Sequence, residues 1–291
     1  MGTSDMTRIV QKFGGTSVAD MARIKAVAAT VKRELDDGNE VAVVLSAMAG
    51  VTDQLVGYAA EAGGAHYSSE CDAVLATGEQ VTAGLVALSL QEMGIQARSW
   101  LGWQIPIHTD DVHGRARISK IDGDALEQCL AGGQVPVIPG FQGLSPEGRV
   151  TTLGRGGSDI SAVAVAAALE AERCDIYTDV DGVYTTDPRI VAKARKLERI
   201  TYEEMLEMAS LGAKVLQSRA VELAMKTGQR LQVRSSYSDV PGTLVVDEDE
   251  IVEQELVSGI AYSRDEAKIT LVRVADKPGA AAAIFGPLAE A

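Results

Sequence analysis

The chain is poor in aromatic rings, histidine and cysteine. Phe, Trp and Tyr make up 4% of its 291 residues, and it holds 3 His and 3 Cys. Cys71, Cys129 and Cys174 are odd in number, widely spaced and form no CxxC. They predict free thiols in a reducing compartment rather than a disulfide framework. Positive charge is short too: Lys and Arg number 27 against 41 Asp and Glu, a formal net charge of −14. That field opposes nucleic acid and anionic membranes, both of which need a basic face. It does not oppose a nucleotide, because a local set of N–H groups can override it. No unbroken apolar run nears the ~18 residues of a membrane span, and no secretory leader opens the chain. "MGTSDM" begins like a myristoylation site but carries Met6 where Ser or Thr is required. Residues 1–5 read as an added segment ahead of a natural start at Met6. The expected location is cytoplasmic.

What is present is small and aliphatic. Hydrophobic residues reach 46%, with 29 Gly. This suits buried parallel strands covered by helices. Strand-like and helix-like stretches alternate. "RIVQKFGG" predicts a strand ending in a tight turn, and "ADMARIKAVAATVKRELDDG" an amphipathic helix closed by Gly38. "EVAVVLSAM" predicts a buried strand, "DAVLATGEQVTAGLVALSLQEMG" one long helix, "QVPVIPGFQG" a strand, and "EGRVTTLGRGG" a hairpin arm. A helix is expected from Ser158 or Asp159, a strand in "CDIYTD", helices on either side of Gly212, and a last strand in "RLQVRSS". The pattern predicts an α/β fold with a largely parallel sheet. An acidic stretch then precedes a new strand and helix over 257–291. That piece is too short to bury a core alone and reads as the incomplete start of a second domain.

Four stretches can carry chemistry. In "KFGGTS", Gly14 and Gly15 let main-chain N–H groups approach an anion. Thr16 and Ser17 add hydroxyls, and Lys12 adds a mobile charge; the plain alternative is an ordinary turn. In "TLGRGGSD", Arg155 can fork onto a carboxylate, while Asp159 is either functional or only an N-cap. In "TDVDGVYTTDPR", the acidic loop fails as a calcium hand because Arg189 stands at the twelfth position instead of Glu. Tyr184 could flank a base there and Arg189 reach a phosphate; otherwise the loop is polar surface. In "ATGEQ", Glu79 interrupts an otherwise small, apolar helix. It either faces solvent or accepts a ligand ammonium. His108, Asp110, Asp111 and His113 in "HTDDVH" lack metal-site spacing and read as a solvated loop. There is no G-x-x-x-x-G-K-[ST] and no protein-kinase signature, so a nucleotide would need another scaffold.

Taken together, "KFGGTSV", "TLGRGGSDISA", "YTDVDGVYTTDPR" and "LGAKVLQSRAVELA" resemble the aspartokinases of the amino-acid-kinase family, from about residue 8 to 236. The piece after Leu256 resembles the opening of an ACT domain. The resemblance implies a three-layer α/β/α catalytic domain over 6–247 and the start of an ACT regulatory domain over 257–291. It implies Mg-ATP-dependent phosphoryl transfer to the side chain of L-aspartate. It further implies feedback effectors such as lysine or threonine, and a homo-oligomer, expected to be a dimer. Lys12, Asp159 and Lys214 would then be catalytic. Ser46, Thr52, Glu79, Arg155 and Ser158 would bind the amino acid: Glu79 its ammonium, Arg155 its α-carboxylate. Lys12, Gly14, Gly15, Thr16, Thr178, Asp179, Tyr184, Arg189 and Lys214 would bind the nucleotide. Mg²⁺ would be held mainly by ATP phosphates and water, with no dedicated protein ligands. Two alternatives stay open: another acceptor within the same superfamily, such as glutamate, acetylglutamate or a uridine nucleotide, and a non-catalytic binder on the same scaffold.

Overall fold

The computed structural model describes residues 7–63, 68–105, 107–213, 215–251 and 259–262. The first half contains β1 (Arg8–Phe13), α1 (Met21–Asp36), β2 (Glu40–Leu45), α2 (Val51–Glu61), α3 (Ser69–Leu75), α4 (Thr77–Glu92), β3 (Ala97–Ser99), β4 (Ile107–Thr109), β5 (Ile118–Ile121) and α5 (Asp124–Ala131). The second half contains β6 (Val135–Pro139), β7 (Gln142–Leu144), β8 (Val150–Thr152), α6 (Gly157–Ala168), β9 (Arg173–Thr178), β10 (Arg199–Thr201), α7 (Tyr202–Ser210), α8 (Ser218–Thr227), β11 (Leu231–Ser235) and β12 (Thr243–Val246).

The main sheet has the order β10-β12-β11-β9-β1-β2-β6-β3. Its pairs are parallel except β11 with β12. Alternation along β2 shows why helices cover both faces. Val41, Val43 and Leu45 join one core with Ile24, Val27 and Val31 of α1 and Val86 and Leu90 of α4. Ala42 and Val44 join the other with Ile160 and Val163 of α6 and Val221 of α8. Side chains of period two feed two cores, and neither face of the strand is left to water. A second sheet, β5-β4-β7-β8, is built on the antiparallel pairs β4/β5 and β7/β8.

Local signals set the helix ends. Asp20 caps α1 by accepting from Arg23 N–H, and Thr201 and Glu204 form a capping box on α7. The helix expected from Asp72 to Gly94 divides at Ala76 into α3 and α4, with Ser68 capping the first piece. Together, Ser69–Glu92 are long and apolar enough, by length and composition, to cross a membrane, with mean hydropathy 1.4. Half of that stretch is nonetheless buried, Asp72, Glu79, Ala83, Val86 and Leu90 with it, which is the pattern of a core helix. "QVPVIPGFQG" is likewise two strands. Phe141, at φ +68°, turns the chain out of β6 and into the second sheet. The expected boundary and second domain over 257–291 lie almost entirely outside the described residues.

Candidate active site

Between β1 and β9 the chain reverses direction across the sheet. After β1 it crosses through α1 to β2; after β9 it continues through α7 and α8 to β11 on the other side. Such a switch leaves a crevice beyond the carboxyl ends of the strands, the usual place for a ligand in this architecture. Lys12, near the end of β1, lies in that crevice. Its Nζ is 2.6 Å from Asp159 Oδ1, and the two side chains are 10% and 11% exposed. Asp159 Oδ1 takes no aligned hydrogen bond among the described residues, and Lys12 is the cation that faces it there. Asp159 is not the N-cap of α6. That position belongs to Gly156, which makes no side-chain cap.

The glycines around Arg155 have separate reasons. Gly154 and Gly156 sit at φ +76° and +71°, where a side chain is strained. A Cβ on Gly156 would also lie 2.1 Å from Gln217 Cγ, and one on Gly157 would lie 2.7 Å from Phe141 Cδ2. The chain therefore turns sharply against two packed side chains. It leaves Arg155 exposed, and without an ion pair among the described residues. Ser158 is buried, and its Cα lies 2.9 Å from where a Gly140 Cβ would stand.

The turn after β1 is less open than its sequence suggests. Gly14 N–H donates to Tyr177 O at 3.3 Å, so it is already engaged. The N–H groups of Gly15 and Thr16 have no backbone acceptor among the described residues. Gly15 is confined by Ala47 O, 3.0 Å from where its Cβ would stand. Ser46 follows β2, its N–H donating to Phe13 O, and Thr52 lies in the first turn of α2.

Glu79 does not face solvent: it is 3% exposed, in the first turn of α4. Oε1 accepts from Ala47 N–H at 3.0 Å, while Oε2 is buried with no partner. Burial pushes this carboxyl up to about 7, against the lowering pull of the Ala47 hydrogen bond. A half-satisfied buried carboxylate costs free energy until a cation meets it.

The remaining expected residues sit as follows. Thr178 ends β9, and its hydroxyl donates to Asp179 at 3.2 Å. Tyr184 OH donates to Asp181 at 2.9 Å, with Lys196 Nζ on the other oxygen at 3.3 Å. Arg189 is exposed and forks onto Asp187. Lys214 lies outside the described residues. His113 corrects the reading of "HTDDVH" as a solvated loop: its Nδ1 is 2.7 Å from buried Asp72, and His108 and Thr109 belong to β4. Asp72 carried no local signal that would have singled it out.

The amino acid kinase family model matches residues 7–235. An aspartate kinase of Stutzerimonas stutzeri is 52% identical over 98% of this chain. The chain belongs to the aspartokinase family. It spans 70% of that relative's length. Among solved aspartokinase-family structures, the Synechocystis aspartate kinase is 51% identical with TM-score 0.73, covering 82% of this chain and 40% of its own. E. coli aspartokinase III, solved with aspartate and ADP, is 34% identical with TM-score 0.73, covering 82% of this chain and 64% of its own.

Proposed function

We propose that the chain catalyses phosphoryl transfer from ATP to the side-chain carboxylate of L-aspartate, giving 4-phospho-L-aspartate and ADP. The observation that carries this reading is the buried Lys12–Asp159 pair at the strand switch, next to the Gly15–Thr16 donors. The acceptor carboxylate is already ionised at neutral pH, so no strong base is required. What the reaction needs is alignment and neutralisation of phosphoryl charge. Lys12, held by Asp159, meets the charge of the transferring group, and Gly15 and Thr16 donate to phosphate oxygens. Glu79 Oε2 receives the substrate ammonium, Arg155 forks onto the α-carboxylate, and Ser46, Thr52 and Ser158 border the same ligand.

Thr178, Asp179, Tyr184 and Arg189 are assigned to the nucleotide, and Lys214 to its phosphates from the opposite side. Mg²⁺ supplies charge neutralisation on the phosphates. The catalytic domain is assigned to 6–247 and an ACT start to 257–291, where effectors such as lysine or threonine would act. The location is assigned to the cytoplasm. Val81 and Leu88, 58% and 62% exposed and seven residues apart on α4, support self-association as a dimer.

The test is ADP release from Mg-ATP and L-aspartate, with hydroxylamine trapping the acyl phosphate. Aspartyl hydroxamate formed in step with ADP is the expected result. ADP formed only with glutamate or UMP would move the acceptor within the superfamily. ATP binding without turnover on any acceptor would favour a non-catalytic binder.

A further inference from the structure

Asp72 is 1% exposed on α3, and its carboxylate gathers four donors. Oδ1 accepts from Thr152 Oγ1–H at 2.6 Å, and Oδ2 from Thr152 N–H at 3.0 Å. Gly114 N–H lies 3.1 Å from both oxygens, and His113 Nδ1 lies 2.7 Å from Oδ2. With the carboxylate accepting, the His113 proton sits on Nδ1. These donors come from two segments, 41 and 80 residues away in sequence.

What the carboxylate joins is informative. Through Ala76, α3 runs directly into the first turn of α4, where Glu79 stands two helical turns beyond Asp72. Thr152 ends β8, just before the turn that carries Arg155. The Gly114 carbonyl lies 3.0 Å from where a Gly154 Cβ would stand, so the segment holding His113 also bounds that turn. Arg219 secures the same region from α8, donating to Leu153 O at 2.6 Å and Ala116 O at 2.9 Å. One buried side chain thus ties α3, which leads into the helix of Glu79, to β8, which leads into the turn of Arg155.

We propose that Asp72 is a positioning residue for the amino-acid substrate: its bonds to His113, Gly114 and Thr152 set the distance between Glu79 and Arg155. This rests on assigning those two side chains to the ammonium and α-carboxylate. Asp72→Asn keeps the shape but turns part of an acceptor-only group into a donor facing donors. The KM for aspartate is expected to rise roughly tenfold or more, because small misplacements of a grip are costly, while the KM for ATP stays unchanged. Thr152→Val removes one donor and should raise the same KM by less. If Asp72→Asn fails to fold, Thr152→Val carries the test. Unchanged KM for aspartate in the folded variants, or equal rises for both substrates, overturns the proposal. Glu79→Gln and Arg155→Ala are measured alongside. If neither raises the KM for aspartate, the substrate assignment itself fails and the proposal with it. If they do and the Asp72 and Thr152 variants do not, only the positioning role fails.

Discussion

The crevice is finished at one end and unfinished at the other. Around Lys12 the protein supplies its own counter-charge: Asp159, at 2.6 Å, leaves the cation ordered before any ligand arrives. Around Glu79 it does not. One carboxylate oxygen holds Ala47 N–H, the other is buried and bare, and Arg155 stands exposed without an ion pair among the described residues. A group that acts on a transition state profits from being fixed in advance. A group that recognises a ligand profits from leaving its valence for that ligand to fill.

Breaking the finished end should have the largest effect. Lys12→Ala is expected to lower kcat at least ~100-fold, because it removes charge neutralisation made in the transition state; steady-state rates at saturating ATP and aspartate check this. The same change leaves Asp159 buried without its cation, so a lower Tm should accompany it. At the open end, Arg155→Ala should raise the KM for aspartate by roughly tenfold or more, the loss of a charge-assisted fork. The KM for ATP should not move, and an effect confined to ATP would reverse the assignment of the two ends.

Glu79 sharpens the comparison through pH. With its carboxyl raised to about 7, it is protonated in the free protein below that pH and cannot meet an ammonium. The KM for aspartate should therefore climb as pH falls below about 7, and Glu79→Gln should flatten the profile. The stability sign is opposite to that of a salt-bridged acid. The native state keeps a proton that the unfolded chain releases, so stability falls as pH rises from 4.5 to about 7. Denaturant melts of the Gln variant should lack that slope. The smallest catalytic effect is expected from Gly156→Ala, which strains a φ of +71° and meets Gln217. It should cost stability of about 1–3 kcal/mol, read in urea melts. A small rise in the KM for aspartate should accompany it.

Legibility followed sequence distance. Lys12, its glycine turn and the Gly154–Gly157 segment were visible because each is a local motif with a backbone reason. β2 was visible as a buried strand because a short continuous apolar run needs only neighbours to be recognised. The division of Ser69–Glu92 was not, since nothing at Ala76 is a strong breaker. Nor could the exit from β6 into β7 be read, since it depends on Phe141 adopting a backbone region that phenylalanine rarely enters. Gly14 illustrates a finer miss. Its sequence advertises a free donor, but a carbonyl from β9, far along the chain, has taken it. Asp72 is the furthest case, because its partners at 113, 114 and 152 are adjacent only after the second sheet forms.

With Glu79 assigned to the substrate ammonium as proposed, its bare oxygen also bears on what the site would refuse. A dicarboxylic acid of aspartate's length without an amine, such as succinate, would enter with nothing to offer Oε2. It would leave that buried oxygen uncompensated, or require a proton on it. The penalty would fall on the impostor, so rejection would come from an unmet need in the protein rather than from a clash of shape.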